Sequence, residues 1–440
     1  MKIAIYEPQP RVCGASTWGE HLRTGFINLG HECDIVSVTK SGRSRKGWGR
    51  LDELSNPTDK STVVPTVCLK LATAHEHLSK YDLVILVDLR NAALDKAAMK
   101  SGELPEYIEV LSMTDAPWTT AMLGKYYYMP HEVPRLGGRE NRASKAVHGA
   151  PFLDELFSLP NFCGKLVTHA PDGLFSANSE ILRGIHERGD VTWVPLPFTL
   201  GVAESDALGD AKREWDFAVL GRFASPKMRH CLHRAWDEHS GTHASFLHAG
   251  AAGVAMAPSR SFILFEELCD ELGYDGWRDL EPHSVNPLDK CGNVCGIQKN
   301  ALFHIARAGN TIDYIGQYVH HRDVATRARV HVGITDCQFS GGLFEYATLE
   351  AIDGGMIPVV TREFTPSITE MRPSIVEYPV SSDSKSWYRA HGPVAGPMIA
   401  DAMRDALRDS SDLDRRRHNR DVICSENDPR ITADVFSTFV

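Results

Sequence analysis

The residues with the most chemistry in them lie between positions 328 and 360. An apolar run at 330–334 reads as a buried strand. A polar loop with Asp336 and the pair Gly341-Gly342 follows it. A helix is expected over 343–352, stopped by Gly354-Gly355, and a second apolar strand over 356–360. Strand, glycine loop, helix and strand make one βαβ unit of a doubly wound parallel sheet. Backbone amides and a helix N-terminus suit phosphate, and the carboxylates of Asp336 and Glu350 can accept ribose hydroxyl protons. The stretch therefore has the composition of a nucleotide site.

Two other places carry candidate chemistry. An apolar run at 107–113 is expected to be a strand ending at Thr114-Asp115-Ala116-Pro117-Trp118. A carboxylate just past the C-terminal end of a parallel strand stands on the ligand edge, which makes Asp115 a candidate catalytic or acceptor-binding group. An Asx turn or a helix cap accounts for it equally simply. Between 40 and 50 the chain carries Lys40, Arg43, Arg45, Lys46 and Arg50, interrupted by glycines and by Trp48. That run is either a solvated loop or a clamp on a phosphate backbone with an aromatic ready to stack. Cys291 and Cys295 with His283 and His304 do not have zinc-knuckle spacing, so no structural metal is expected.

The elements that would position these groups come in two sets. A strand at 2–6, a small-residue loop with Gly14, Ser16 and Thr17, a helix from 18 to 29 and a strand at 33–38 open a Rossmann-like half. The loop is not GxGxxG and no acidic residue caps the next strand, which excludes a dinucleotide reading. Further strands are expected at 82–87 and 165–169, and a linker over 203–212. The second half opens with a strand at 217–220, the segment Gly221-Arg222-Phe223-Ala224-Ser225-Pro226-Lys227 and a helix over 228–238. A strand at 311–315 ends at Gly316. The expected domains are 1–205 and 206–425, with 426–440 packing back on the first.

Bulk properties agree with two α/β domains. At 440 residues the chain exceeds one ordinary core. No run of eighteen apolar residues suggests a membrane span, and the opening MKIAIYEP lacks a signal-peptide pattern. Ten cysteines without a regular framework favour a reducing, cytoplasmic compartment. The net charge is −10, of which residues 1–200 contribute −1 (22 basic, 23 acidic). A polyanion would thus meet the first half, on locally basic loops.

The segment 221–227 resembles the Gly-Arg-x4-Lys signature of GT-B glycosyltransferases, and 344–360 (FEYATLEAIDGGMIPVV) is similar to the T-even phage DNA glucosyltransferases. MKIAIYEP, NLGHECDIVSV and Thr114-Asp115 add to that likeness. The resemblance implies a GT-B fold of two Rossmann-like domains facing across a cleft. It implies Arg222 and Lys227 on the donor diphosphate, Glu350 on the ribose, and the base near Ile315 and Gly316. Gly14, Ser16, Gly221, Asp336, Gly341 and Gly342 complete the donor set. The retaining relatives carry a second Glu where this chain has Gly342, so sugar contacts there fall to backbone. Asp115 matches the general base of an inverting relative.

The implied activity moves a hexose or pentose from a nucleotide sugar, UDP first among them, to a hydroxymethylpyrimidine flipped out of phage DNA. Lys40, Arg43, Arg45, Lys46, Trp48, Arg50, Trp118 and Arg139 would hold that acceptor. The expectation is a monomer in an infected cell, without tightly bound cofactor; a divalent metal is left open. Two other readings stand beside it: a GT-B enzyme acting on a glycan, lipid or small molecule, and a non-catalytic relic that binds nucleotide or DNA.

Overall fold

The computed structural model describes residues 1–7, 14–39, 66–87, 106–122, 158–169, 191–209, 213–221, 229–249, 310–316, 321–334, 346–361, 370–377 and 387–440. The chain divides into two units, and it passes from the first to the second after Thr199 and back at Cys424.

The first unit is built on strands β1 (Lys2–Tyr6), β2 (Glu32–Thr39), β3 (Thr66–Lys70), β4 (Leu83–Leu86), β5 (Trp118–Met122), β6 (Phe162–Thr168) and β7 (Val191–Trp193). All pair in parallel, in the order β3-β2-β1-β4-β5-β6-β7. Strands covered on both faces read as unbroken apolar runs, as Ile3 to Tyr6 and Leu83 to Leu86 do. The chain runs outward from β1 to β3 and then returns to lay β4 beside β1, so β1/β4 is the topological switch point. Helices α1 (Gly14–Asn28), α2 (Ala74–Leu78) and α3 (Glu106–Ser112) connect these strands.

The second unit repeats the plan. Strands β8 (Trp215–Leu220), β9 (Ser245–Ala249), β10 (Thr311–Gly316), β11 (Ala328–Val332), β12 (Ile357–Thr361) and β13 (Ser374–Val376) lie in the order β10-β9-β8-β11-β12-β13, again all parallel. Its switch point is β8/β11. Helices α4 (Glu204–Leu208), α5 (Arg229–His239), α6 (Arg322–Ala325), α7 (Tyr346–Asp353) and α8 (Trp387–Arg408) belong to it, as does α9 (Leu413–Glu426) up to Ile423. Alternation sorts its core into two layers. Phe217 and Val219 meet Trp236 of α5 and Ile399 and Met403 of α8, whereas Ala218 and Leu220 meet Ala347 and Ala351 of α7.

The last helix, α10 (Pro429–Ser437), packs on α1 in the first unit. A Cβ on Gly25 of α1 would stand 2.3 Å from the Pro429 carbonyl oxygen, so that approach needs a glycine. The expected boundaries are 205/206 and 425/426 and the crossings fall at 199/200 and 423/424; at the first of them α4 and its flanks are bound into the second unit.

One element differs in kind from its expectation. Residues 106–112 form helix α3, and the strand begins only at Trp118. Ile108 and Leu111 are buried three apart, and Thr114 Oγ1 donates to the Val110 carbonyl at 2.7 Å, closing the helix. Pro117 breaks the chain, and Trp-Thr-Thr, rich in strand formers, supplies β5 instead.

Candidate functional site

The ligand edge of a doubly wound sheet is the edge of strand C-termini, at the switch point. In the second unit Gly221 leaves β8 there with φ +91, a left-handed turn that glycine adopts without strain. Gly333 leaves β11 next to it, its N–H donating to the Val359 carbonyl at 2.9 Å. Ile315 and Gly316 end β10 on the same edge. From that edge α7 runs back along the sheet. Leu349, Ala351 and Ile352 anchor it, and Glu350 is half-buried one turn after Tyr346. Tyr346 and Glu350, four apart, share a helix face. Burial, and then the Glu350 charge, hold the Tyr346 phenol well above its usual range. His331 of β11 is buried beneath α7, with Nε2 at 3.4 Å from Thr348 Oγ1. An acceptor carboxylate thus rides a helix clamped against the switch point.

In the first unit Gly14 and Ser16 stand inside the first turn of α1, where the sequence suggested a loop ahead of it. Trp18 fixes that turn. Its Nε1 donates to His169 Nε2 at 2.7 Å, and His169 follows β6 on the ligand edge. The indole N–H makes Nε2 an acceptor, so the imidazole proton is on Nδ1, which lies 2.9 Å from the Val194 carbonyl and 3.1 Å from that of Pro195. Burial drives the His169 pKa down to about 4, against the opposing pull of those two carbonyls. His169 is therefore a neutral structural pin between α1, β6 and the chain after β7.

Two assigned residues are displaced from their expected roles. Asp115 lies on the turn before β5, at the N-terminal edge of an all-parallel sheet, opposite the ligand edge. Its N–H donates to Ser79 Oγ at 2.9 Å, and Ser79 caps α2 just ahead of β4 on that same edge. The cause is the exchange of strand for helix at 106–112. Trp118 is wholly buried. Its Nε1 donates to the Pro160 carbonyl at 2.9 Å and its ring packs 4.7 Å from Phe162, which places it in the core of the first unit.

Lys40, Arg43, Arg45, Lys46, Trp48, Arg50, Arg139, Arg222, Lys227, Asp336, Gly341 and Gly342 lie outside the described residues, as do His283, Cys291, Cys295 and His304. Among the described residues, no group of His, Cys, Asp and Glu has the arrangement of a metal site, and no helix is long and apolar enough to cross a membrane.

Sequence reasoning missed a polar cluster at the C-terminal end of α7. Asp353, His321 and Arg420 meet there, 32 and 67 residues apart along the chain from Asp353. The only local trace is an aspartate in a helix end otherwise read as a stop signal.

No protein-family profile matches the sequence, and no curated protein matches it. Solved structures do match over its whole length. HepE from Anabaena, in complex with UDP and glucose, superposes with a TM-score of 0.57 at 10% identity, covering 100% of this chain and 98% of that one. An alpha-glucosyltransferase in complex with UDP and a 13-mer DNA containing an HMU base gives 0.55 at 13%, covering 100% and 99%. Sucrose-phosphate synthase from Thermosynechococcus elongatus gives 0.53 at 13%, covering 100% and 98%. With two doubly wound parallel sheets, the chain has the α/β GT-B fold of these glycosyltransferases.

Proposed function

We propose that the protein is a glycosyltransferase that takes a sugar from a nucleotide donor, UDP-sugar first among them. The observation that carries this reading is the β8/β11 switch point, where Gly221 turns at positive φ and Glu350 rides the clamped α7. Structures that match the chain end to end hold UDP. Glu350 accepts the ribose hydroxyls, and Arg222 and Lys227 bind the diphosphate, a role supported by the likeness of 221–227 to the GT-B signature. As the glycosidic bond breaks, charge accumulates on the leaving phosphate, and two fixed cations stabilise it. The acceptor oxygen forms the new bond to the anomeric carbon and UDP leaves. Asp115, on the far edge, has no part in this proton transfer. A retaining route, in which a leaving phosphate oxygen takes the acceptor proton, needs no protein base and agrees with that placement.

For the acceptor we propose a hydroxymethylpyrimidine in duplex DNA, flipped out of the stack. The basic run from Lys40 to Arg50 supports it, and so does the likeness to a structure that holds HMU-containing DNA. A glycan or small-molecule acceptor is the second reading, favoured by the net charge of −10 and by the equal likeness to HepE. One assay separates them. The protein is incubated with a panel of nucleotide sugars and hydroxymethylpyrimidine DNA, and the DNA is digested to nucleosides for mass measurement. A hexose or pentose mass on the modified nucleoside is expected. Hydrolysis of donor without DNA product points to the second reading, and no turnover of any donor overturns the transferase assignment. In the same assay Asp115→Asn is expected to keep the wild-type rate within about twofold.

A further inference from the structure

Asp353 closes α7 three residues after Glu350, and its carboxylate is wholly buried. Oδ2 accepts the N–H of Gly201 at 2.6 Å and of Val202 at 3.0 Å, and lies 2.7 Å from His321 Nε2. Oδ1 accepts from Arg420 Nε and Nη2 at 3.3 and 3.2 Å. Arg420 also donates to the carbonyls of Asp353 and Val202. A buried carboxylate is tolerated only when its lone pairs are satisfied in this way. The contacts are too close for a larger residue at 201, where a Cβ would stand 2.6 Å from His321 Cε1.

Two more buried arginines grip the same backbone. Arg213 Nη2 donates to the carbonyls of Ala207 at 2.6 Å and Gly354 at 2.9 Å. Arg416 donates to those of Gly355 at 2.9 Å and Ala207 at 2.7 Å. The C-terminal end of α7 is thereby joined to residues 201–209, the first stretch of chain inside this unit, and to α9, the last.

This joint is also within reach of Glu350. Residues three apart on a helix are surface neighbours, so Glu350 and Asp353 face the same way. The charges that bear on His321 are those of Glu350 and Asp353 on α7 and Asp323 on α6, with Arg420 of α9 on the far side of Asp353. His321 thus hydrogen-bonds the carboxylate that fixes the helix and also feels the charge of the one that would meet the nucleotide.

We propose that Asp353, His321 and Arg420 are positioning residues for the donor, holding α7 so that the Glu350 carboxylate meets the ribose hydroxyls of the nucleotide. The proposal rests on the reading of Glu350 given above. An acceptor displaced by about 1 Å loses most of its discrimination, even though it is chemically intact. Discrimination between ribose and deoxyribose at Glu350 reports that placement, and general loss of stability does not change it.

The test measures UDP and 2′-deoxy-UDP binding by calorimetry, with melting temperature recorded for each variant. Wild type is expected to prefer UDP by on the order of tenfold or more, the worth of a hydrogen bond to a carboxylate. Glu350→Gln is expected to bring the preference close to unity. His321→Ala, folded and binding UDP, is expected to lose most of it. His321→Gln, which keeps a donor near the Nε2 position, is expected to restore most of it. Asp353→Asn is expected to behave like His321→Ala; if it does not fold, the His321 pair still decides. A full preference in His321→Ala, with Glu350→Gln lacking it, overturns the positioning role and leaves the donor site standing. No preference in wild type, with Glu350→Gln binding UDP unchanged, overturns the Glu350 reading and this proposal with it.

Discussion

His169 shows how one buried side chain ties stability to pH. Both its nitrogens are engaged in the neutral form, so a second proton would break the bond from Trp18 and place a charge in the core. Its folded pKa, about 4, lies below the ordinary histidine value of 6.5. Between those values the unfolded chain takes up a proton that the folded chain refuses. Its effect on stability is therefore nil above pH 6.5 and grows to a loss of about 3 kcal/mol as pH drops to 4 and below. Urea unfolding at pH 7 and pH 4.5 checks this. His169→Gln is expected to cost stability at pH 7 but to lose about 2–3 kcal/mol less than wild type on the way to pH 4.5. An unchanged acid loss would assign the sensitivity to other groups. His321 shows the opposite sign. Burial pulls its pKa down, but the Asp353 hydrogen bond and the charges of Glu350, Asp353 and Asp323 raise it overall. Its contribution is full below pH 6.5 and is lost as pH climbs through the raised folded value.

At the scale of elements, α7 and the turn after it hold the candidate donor site in shape. Gly355 has φ +77, and a Cβ there would stand 1.9 Å from the Ala207 carbonyl oxygen, the same oxygen that Arg213 and Arg416 share. Gly355→Ala meets the left-handed backbone cost of roughly 1–2 kcal/mol and must also push α4 off its arginines. A loss of more than about 2 kcal/mol is expected in thermal or urea unfolding; a loss below about 1 kcal/mol would mean that α4 moves freely. The glycine pair was legible as a helix stop, because a break of that kind is written locally. The βαβ unit at 328–360 was legible for the same reason, since its apolar strands and amphipathic helix differ in period. Helix α3 was not. Tyr-Ile-Glu-Val-Leu is a short apolar run rich in strand formers, which length and period do not separate from a buried helix, and the later Trp-Thr-Thr run, preceded by Pro117, competes for the sheet position. Asp115 changed edges through that single exchange. The Asp353 cluster was illegible because its partners come from three separate elements, and none of the three carries a local signal.

At the scale of the molecule, the distribution of charge bears on the proposed acceptor. Each unit is doubly wound with its switch point between its first and fourth strands, an arrangement that serves many acceptors. The whole chain carries −10, yet residues 1–200 are nearly balanced at −1, and five cations fall within 40–50. Duplex DNA binding by such a chain must be local and driven by counterion release, so its affinity falls steeply with salt. Each phosphate contact adds about 0.9 to the magnitude of the log–log slope. Replacing Arg43, Arg45 and Lys46 by Gln is therefore expected to flatten the slope by about 2–3 and to weaken duplex binding at low salt. UDP affinity, which the proposal assigns to the other unit, is expected to remain within about twofold. Measuring duplex affinity by fluorescence anisotropy from 25 to about 200 mM salt reads both effects. A wild type whose affinity ignores salt would remove DNA as the acceptor. A salt-dependent wild type with an unchanged triple variant would keep DNA and move its contact surface off the 40–50 run. In either case the donor half of the proposal is untouched, because Glu350 and the β8/β11 switch point belong to the second unit alone.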